Sequence, residues 1–335
     1  MFLDPWSLGL SLAGLAALVL LAVACRTAVR VLRFWDPDSD DNRQIRLESE
    51  IWLSSTLVAY GLGFQIVTLI LFVLAADHFC GAIVGAMCAT GALLANPYGM
   101  PALLVKLAGV FFYGAWILLH QLDVRSEHYP LARSKYVFLL LLMPLLVADL
   151  SLQTLYIAGL KPDIITSCCG VVFSDSPAGG PNLLSSFSRQ GLLLAFAFSI
   201  AVLAGLAVFL LQRRSRAVLL LHAAGWLCFF PLALVTVTRV VSSYVYAMPY
   251  HNCPFCLLKP EYGYFGFFLY GSLLAATFFG ASPALAEAVK NRPGLAGVVA
   301  RYQETAVRVS LVLLVIFALL SFFHQARYLL AGGEG

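Results

Sequence analysis

Charge is what this sequence has least of. Of its 335 residues, 11% are Asp, Glu, Lys or Arg and 61% are hydrophobic, whereas a soluble domain carries about a quarter charged residues. A water-soluble globule of this length is therefore excluded. The net charge of +4 is scattered, with no basic face or stripe, which argues against nucleic acid as a partner. Motifs of nucleotide and hydrolytic chemistry are missing too: the chain holds no G-x-x-x-x-G-K-[ST], no H-E-x-x-H and no G-x-S-x-G. It lacks the C-x-x-C-H of covalent haem attachment, and no internal repeat marks the inverted halves of a transporter. No polar stretch is long enough to form a soluble domain.

What the chain does contain is long apolar runs. Eight of them, near 6–25, 51–76, 101–122, 136–160, 191–211, 217–248, 262–289 and 306–330, reach the roughly 20 residues that a helix needs to cross a bilayer. The expected fold class is all-α: a polytopic membrane helical bundle, with 1–335 as a single integral membrane domain. Pro144, Pro231 and Pro283 fall inside runs and should kink their helices, which neighbouring helices tolerate in lipid. No basic n-region precedes the first run and "CRTAVRVLR" follows it, so it is an anchor rather than a cleaved leader.

Alternating these spans sorts the connections by charge. One set carries Arg26, Arg30, Arg33, Arg43, Arg46, Arg125, Arg133, Lys135, Arg213, Arg214, Arg216, Lys290, Arg292, Arg301 and Arg308; the other holds Lys161, Arg189, Lys259 and Arg327. The positive-inside rule makes the first set cytoplasmic and places both termini outside, in a prokaryotic inner membrane. The stretch "CGAIVGAMCATGALLA", 80–95, is apolar but short for a span, and a crossing there would abolish the asymmetry. It is expected to be a short re-entrant or interfacial helix on the outer face, ended by "NPYGMP".

Cysteine follows the same division. Cys80 and Cys88, Cys168 and Cys169, and Cys253 and Cys256 fall in the three outer loops, while Cys25 and Cys228 lie within runs, where a thiol acts as a small hydrophobe. Six outer thiols in three pairs point to thiol–disulfide redox, with C-x-x-C at 253–256 as the exchangeable pair facing a periplasmic thiol protein. Cys168–Cys169 and Cys80/Cys88 would then relay electrons, and Asp149, inside the fourth run, would accept protons. Structural disulfides, in a membrane subunit of a larger complex, are the plainer alternative.

A soft-metal site competes with both, drawing on Cys253, Cys256, Cys168, Cys169, His251, His78 and Met87, because thiolates and thioethers select ions such as Cu(I). A quinone or a soft metal ion are the cofactors this chemistry suggests. Haem is disfavoured, since only His120 and His222, near run ends, offer axial ligands. Lys106 and Arg239 are expected to snorkel to the interface. In plan the chain is similar to membrane thiol oxidoreductases that pass electrons from periplasmic cysteine pairs to a quinone. Those proteins use a smaller core and two pairs, so no residue role carries over.

Overall fold

The computed structural model describes residues 3–35, 41–126, 129–161, 163, 166, 188–248 and 251–331. They are helical with no strand among them, as an apolar surround demands of a backbone that must satisfy its own N–H and C=O groups. In chain order the helices are α1 (Pro5–Phe34), α2 (Asn42–Cys80), α3 (Ala89–Leu94), α4 (Gly99–Val124), α5 (Ala132–Ala158), α6 (Arg189–Gln212), α7 (Arg216–Thr236), α8 (Ser242–Tyr246), α9 (Phe265–Val289) and α10 (Ala296–Leu330). A π-helical turn, Val237–Val241, joins α7 to α8. Eight spans, counting Arg216–Tyr246 as one, are long and apolar enough to cross a membrane.

Two compact units divide the chain. The first comprises Met1–Val84, Ala92–Ile164 and Ala288–Ala300. Its helix α1 packs on α2 and α5, and α4 packs on the same two, closing a ring of four. Helix α1 begins where Asp4 accepts the Trp6 N–H at 2.9 Å, with Pro5 at the first helical position. Leu21, Val58, Leu62, Trp116, Tyr136, Leu139 and Leu146 fill the core.

The second unit comprises Gly85–Gly91, Ile165–Glu287 and Arg301–Gly335. Phe196, Trp226, Phe229 and Phe317, from α6, α7 and α10, stack and abut edge to face with ring centroids 5.5–6.1 Å apart. The same apolar cluster continues through Leu269 and Leu273 of α9 to Leu257, Cys88, Cys253 and Cys256. Those three thiols are therefore part of a core.

Helices outrun their apolar stretches. Helix α2 has 39 residues and α10 has 35, about 58 and 52 Å at the α-helical rise, against about 30 Å of hydrocarbon. Residues 26–34, 42–50 and 296–308, expected as connections, are accordingly helical. Their charges pair outside the apolar zone, as in Arg30 with Glu50 at 2.9 Å and Arg214 with Glu304 at 3.1 Å; exposed pairs of this kind contribute at most about 1 kcal/mol. Helix continues through Pro144, Pro231 and Pro283. In 80–95, beyond Cys80 at the end of α2, the helix is confined to Ala89–Leu94, too short to span, and Gly85 at φ 81° turns the preceding segment.

Outward-facing side chains of the long helices are apolar: Phe198 is 72%, Leu194 71% and Leu141 69% exposed. Water would not tolerate so continuous an apolar surface, and lipid does. Inside the second unit, Gly280 lets α9 meet Trp226, since a Cβ on it would stand 2.1 Å from the indole. Gly280→Ala is expected to destabilise the detergent-solubilised protein by about 1–3 kcal/mol through overpacking, read as a fall in its thermal unfolding midpoint.

Candidate functional site

Chain direction at the end of α7 is set locally. Val237–Val241 widens into a π turn, α8 adds one more turn, and Ala247 at φ 53° ends it in the left-handed region. Such π turns often mark functional sites. The loop that follows is built from short-range bonds. Leu258 N–H donates to Phe255 O at 3.0 Å and Lys259 N–H to Cys256 O at 3.1 Å, giving the 3-10 turn Cys256–Leu258. A second turn, Pro260–Tyr262, ends at Gly263, φ 62°.

Side chains then pin this loop to the second unit. The Tyr246 hydroxyl donates to Cys253 O, and the Tyr270 hydroxyl to Pro254 O at 2.9 Å. Leu257 is fully buried. The Tyr246 ring packs on Tyr262 at 4.6 Å and on His251 at 4.8 Å. Burial, with charge at Cys256 next, pushes the Tyr262 hydroxyl above its ordinary pKa. Lys259 reaches across and donates from Nζ to Met87 O at 3.0 Å, tying the loop to the segment that carries Cys88.

The result is a cluster of three buried thiols. Cys88, Cys253 and Cys256 bring their sulfurs within 4.8 Å of one another. Cys88 Sγ lies 3.4 Å from Cys253 Sγ, and Thr90 Oγ1 lies 3.6 Å from Cys253 Sγ. The 3.4 Å separation is contact rather than a bond, because a disulfide is about 2.05 Å long. Around a metal with bonds of about 2.3 Å to sulfur, tetrahedral or trigonal geometry puts the sulfurs about 3.8–4.0 Å apart, so small side-chain rotations would suffice for ligation. An all-sulfur set excludes Mg2+ and Ca2+, which take oxygen ligands, and suits soft ions.

Other residues singled out by the sequence lie elsewhere or apart from this cluster. His251 packs on Tyr246, and Met87 is 72% exposed while its carbonyl accepts from Lys259. No histidine or carboxylate joins the three sulfurs among the described residues. Cys80 and His78 belong to the first unit, at the end of α2. There His78 Nε2 pairs with Asp4 Oδ2 at 3.1 Å, and its ring faces Trp6. Cys168 and Cys169 lie outside the described residues. Thr90, Tyr246, Tyr270 and Lys259 had not been singled out; only the tyrosines, flanking the C-x-x-C on both sides, left a signal that could have been followed.

Charges expected to snorkel are buried instead. Lys106 Nζ pairs with Asp149 Oδ1 at 2.9 Å, each side chain 1% exposed. Gln65 Nε2 donates to Asp149 Oδ2 at 2.7 Å. Lys135 pairs with Asp123 at 2.7 Å, where Asp123 also accepts the Leu131 N–H that opens α5. Removing one partner of such a pair costs about 3–5 kcal/mol, since a lone charge is left in an apolar interior. Arg239, in the π turn, is also buried. His120 stacks on Trp116, and His222 accepts the Trp226 indole N–H at 3.1 Å, so each imidazole has an aromatic partner on its own helix.

Comparison with protein families, with curated proteins and with solved structures finds no match to this chain. The two tyrosines supply a direct check on the loop. Tyr246→Phe and Tyr270→Phe each leave a buried carbonyl without its donor, at a cost of about 1–3 kcal/mol. Each is expected to speed alkylation of Cys253 by a small thiol reagent, read by peptide mass, while alkylation of Cys25 on α1 keeps its wild-type rate.

Proposed function

We propose that this protein is a multi-pass membrane protein that holds a soft metal ion of the Cu(I) class through Cys88, Cys253 and Cys256. The observation that carries the reading is the convergence of three buried sulfurs, from two segments, within 4.8 Å. Three thiolates complete the shell of a Cu(I) ion, whereas a borderline ion such as Zn2+ would keep one position for water or substrate. Burial works in the same direction. Thiolates sequestered from water are stabilised by a cation, and a site at 0–9% exposure hinders the collinear approach of a bulky protein thiol that disulfide exchange requires.

Sidedness rests on the basic residues. With Arg213, Arg214 and Arg216 in the cytoplasm, the opposite end of the second unit, with the thiols, faces the outer side of an inner membrane. A soluble outer-face carrier of metal or thiol is the partner this arrangement suits. Membrane-impermeant labelling of Met87→Cys in intact cells, in a background lacking the other cysteines, is the check; labelling only after the membrane is opened would reverse the assignment.

Metal quantification on the gently purified protein tests the site. One ion per chain is expected, with Cys88→Ser, Cys253→Ser and Cys256→Ser each releasing it. Ligation displaces thiol protons, so retention should weaken as pH falls and the three thiols protonate. A second reading, thiol–disulfide exchange, is favoured by the 3.4 Å contact of Cys88 with Cys253, which puts a thiol from a distant segment beside the C-x-x-C pair. Metal-free protein with a Cys88–Cys253 disulfide in peptide mass analysis would replace the metal reading with this one.

A further inference from the structure

The first unit carries a second chemistry, independent of the thiols. Helices α4 and α5 are joined by two buried ion pairs of opposite sense: Lys106 and Asp123 lie on α4, Asp149 and Lys135 on α5. The two pairs differ in what surrounds them. Asp123 sits at the last turn of α4 and holds the start of α5 through a backbone bond, so its role is to staple the turn. Asp149 lies in the body of α5, four residues, or about 6 Å, from its midpoint. Its partners are side chains only, Lys106 from α4 and Gln65 from α2.

Stability does not account for a pair at that depth. Leu139, Leu142 and Leu146 already pack α5 into the ring core, and hydrophobic residues in place of a buried ion pair are commonly neutral or stabilising. Ionisable groups inside a membrane mark function. The cluster also has spare hydrogen-bonding capacity. Gln65 Oε1 and the Tyr113 hydroxyl, on side chains 3% and 1% exposed, have no hydrogen-bond partner among the described residues. Tyr113 shares the stripe of α4 formed by Lys106, Gly109, Tyr113, Trp116, His120 and Asp123, all buried at alternating three- and four-residue spacing.

We propose that Asp149, with Lys106 and Gln65, is a proton-exchange site within the membrane interior of the first unit. A second metal cation is excluded there, because the Lys106 ammonium stands 2.9 Å from the carboxylate and would repel it; a proton adds to the carboxylate without needing a coordination shell. The step balances simply. A proton from water forms an O–H bond at Asp149, Lys106 keeps its own proton, and the same O–H bond breaks when the proton returns to water on either side. Gln65 serves both states. Its Nε2 donates to the carboxylate, and a half-turn of the amide presents Oε1, which forfeits no other bond, as acceptor for the carboxylic O–H.

Among the described residues, the charged and titratable groups facing Asp149 are Lys106 and Tyr113 from α4; α2 contributes the neutral Gln65, with Thr68 Oγ1 3.5 Å from Lys106 Nζ, and from α1 the Leu10 carbonyl accepts from Gln153 Nε2 at 3.2 Å. The test is pH-dependent infrared difference spectroscopy on the purified full-length chain. A carbonyl band of a buried carboxylic acid is expected to appear when the folded protein is acidified, and to be absent in Asp149→Asn. In Lys106→Gln, which removes the ammonium 2.9 Å from the carboxylate, the band should change in frequency relative to wild type. Identical wild-type and Asp149→Asn spectra would overturn the proposal. Should Asp149→Asn fail to fold, a carbonyl band left unmoved in frequency by Lys106→Gln overturns it equally.

Discussion

An apolar surround imposes one requirement from which the rest of this structure follows: any polar group within it must find its partner inside the protein. The backbone meets the requirement as helix, continuous even through Pro144, Pro231 and Pro283. Side chains meet it in pairs. Lys106 with Asp149 and Lys135 with Asp123 cancel their charges across α4 and α5, while serines and threonines such as Thr277 and Ser310 return their hydroxyls to carbonyls of their own helices. Charges left over collect where helices emerge, at Arg30 with Glu50 and Arg214 with Glu304.

The same requirement shapes the thiol cluster. A protonated thiol is a small hydrophobe and is buried at little cost, which is how Cys88, Cys253 and Cys256 come to belong to the apolar core. Ionised, the three would be costly there, so under the proposed metal-binding reading their ionisation would accompany the arrival of a cation. The loop around them is held by donors to backbone oxygen, from Tyr246, Tyr270 and Lys259. Preorganisation of this kind lowers the entropic cost of gathering three ligands from two segments.

Much of the architecture was legible before any coordinates, because hydrocarbon thickness sets helix length and lipid sets helix polarity. All eight runs correspond to helices, and α9, Phe265–Val289, matches its run of 262–289 within a few residues. Extension of α2 back to Asn42 and of α10 back to Ala296 was not legible, since outside the bilayer polarity no longer separates helix from loop. The short helix in 80–95 was placed but made too long; Gly85 needs a positive φ, and composition does not report φ.

For the candidate site, residue types and spacing singled out Cys253, Cys256, Cys88 and Asp149, because thiols and a carboxylate stand out in a chain this apolar. Which of them meet was a matter of three dimensions. Cys88 lies 165 residues from Cys253, yet their sulfurs are 3.4 Å apart; Lys106, expected to snorkel, turns inward to Asp149. Local pattern follows from the short-range physics of lipid and backbone, which acts residue by residue along the chain. Contacts across such separations follow from how whole helix faces and loops pack, and that packing sums over many weak interactions that no single stretch of sequence contains.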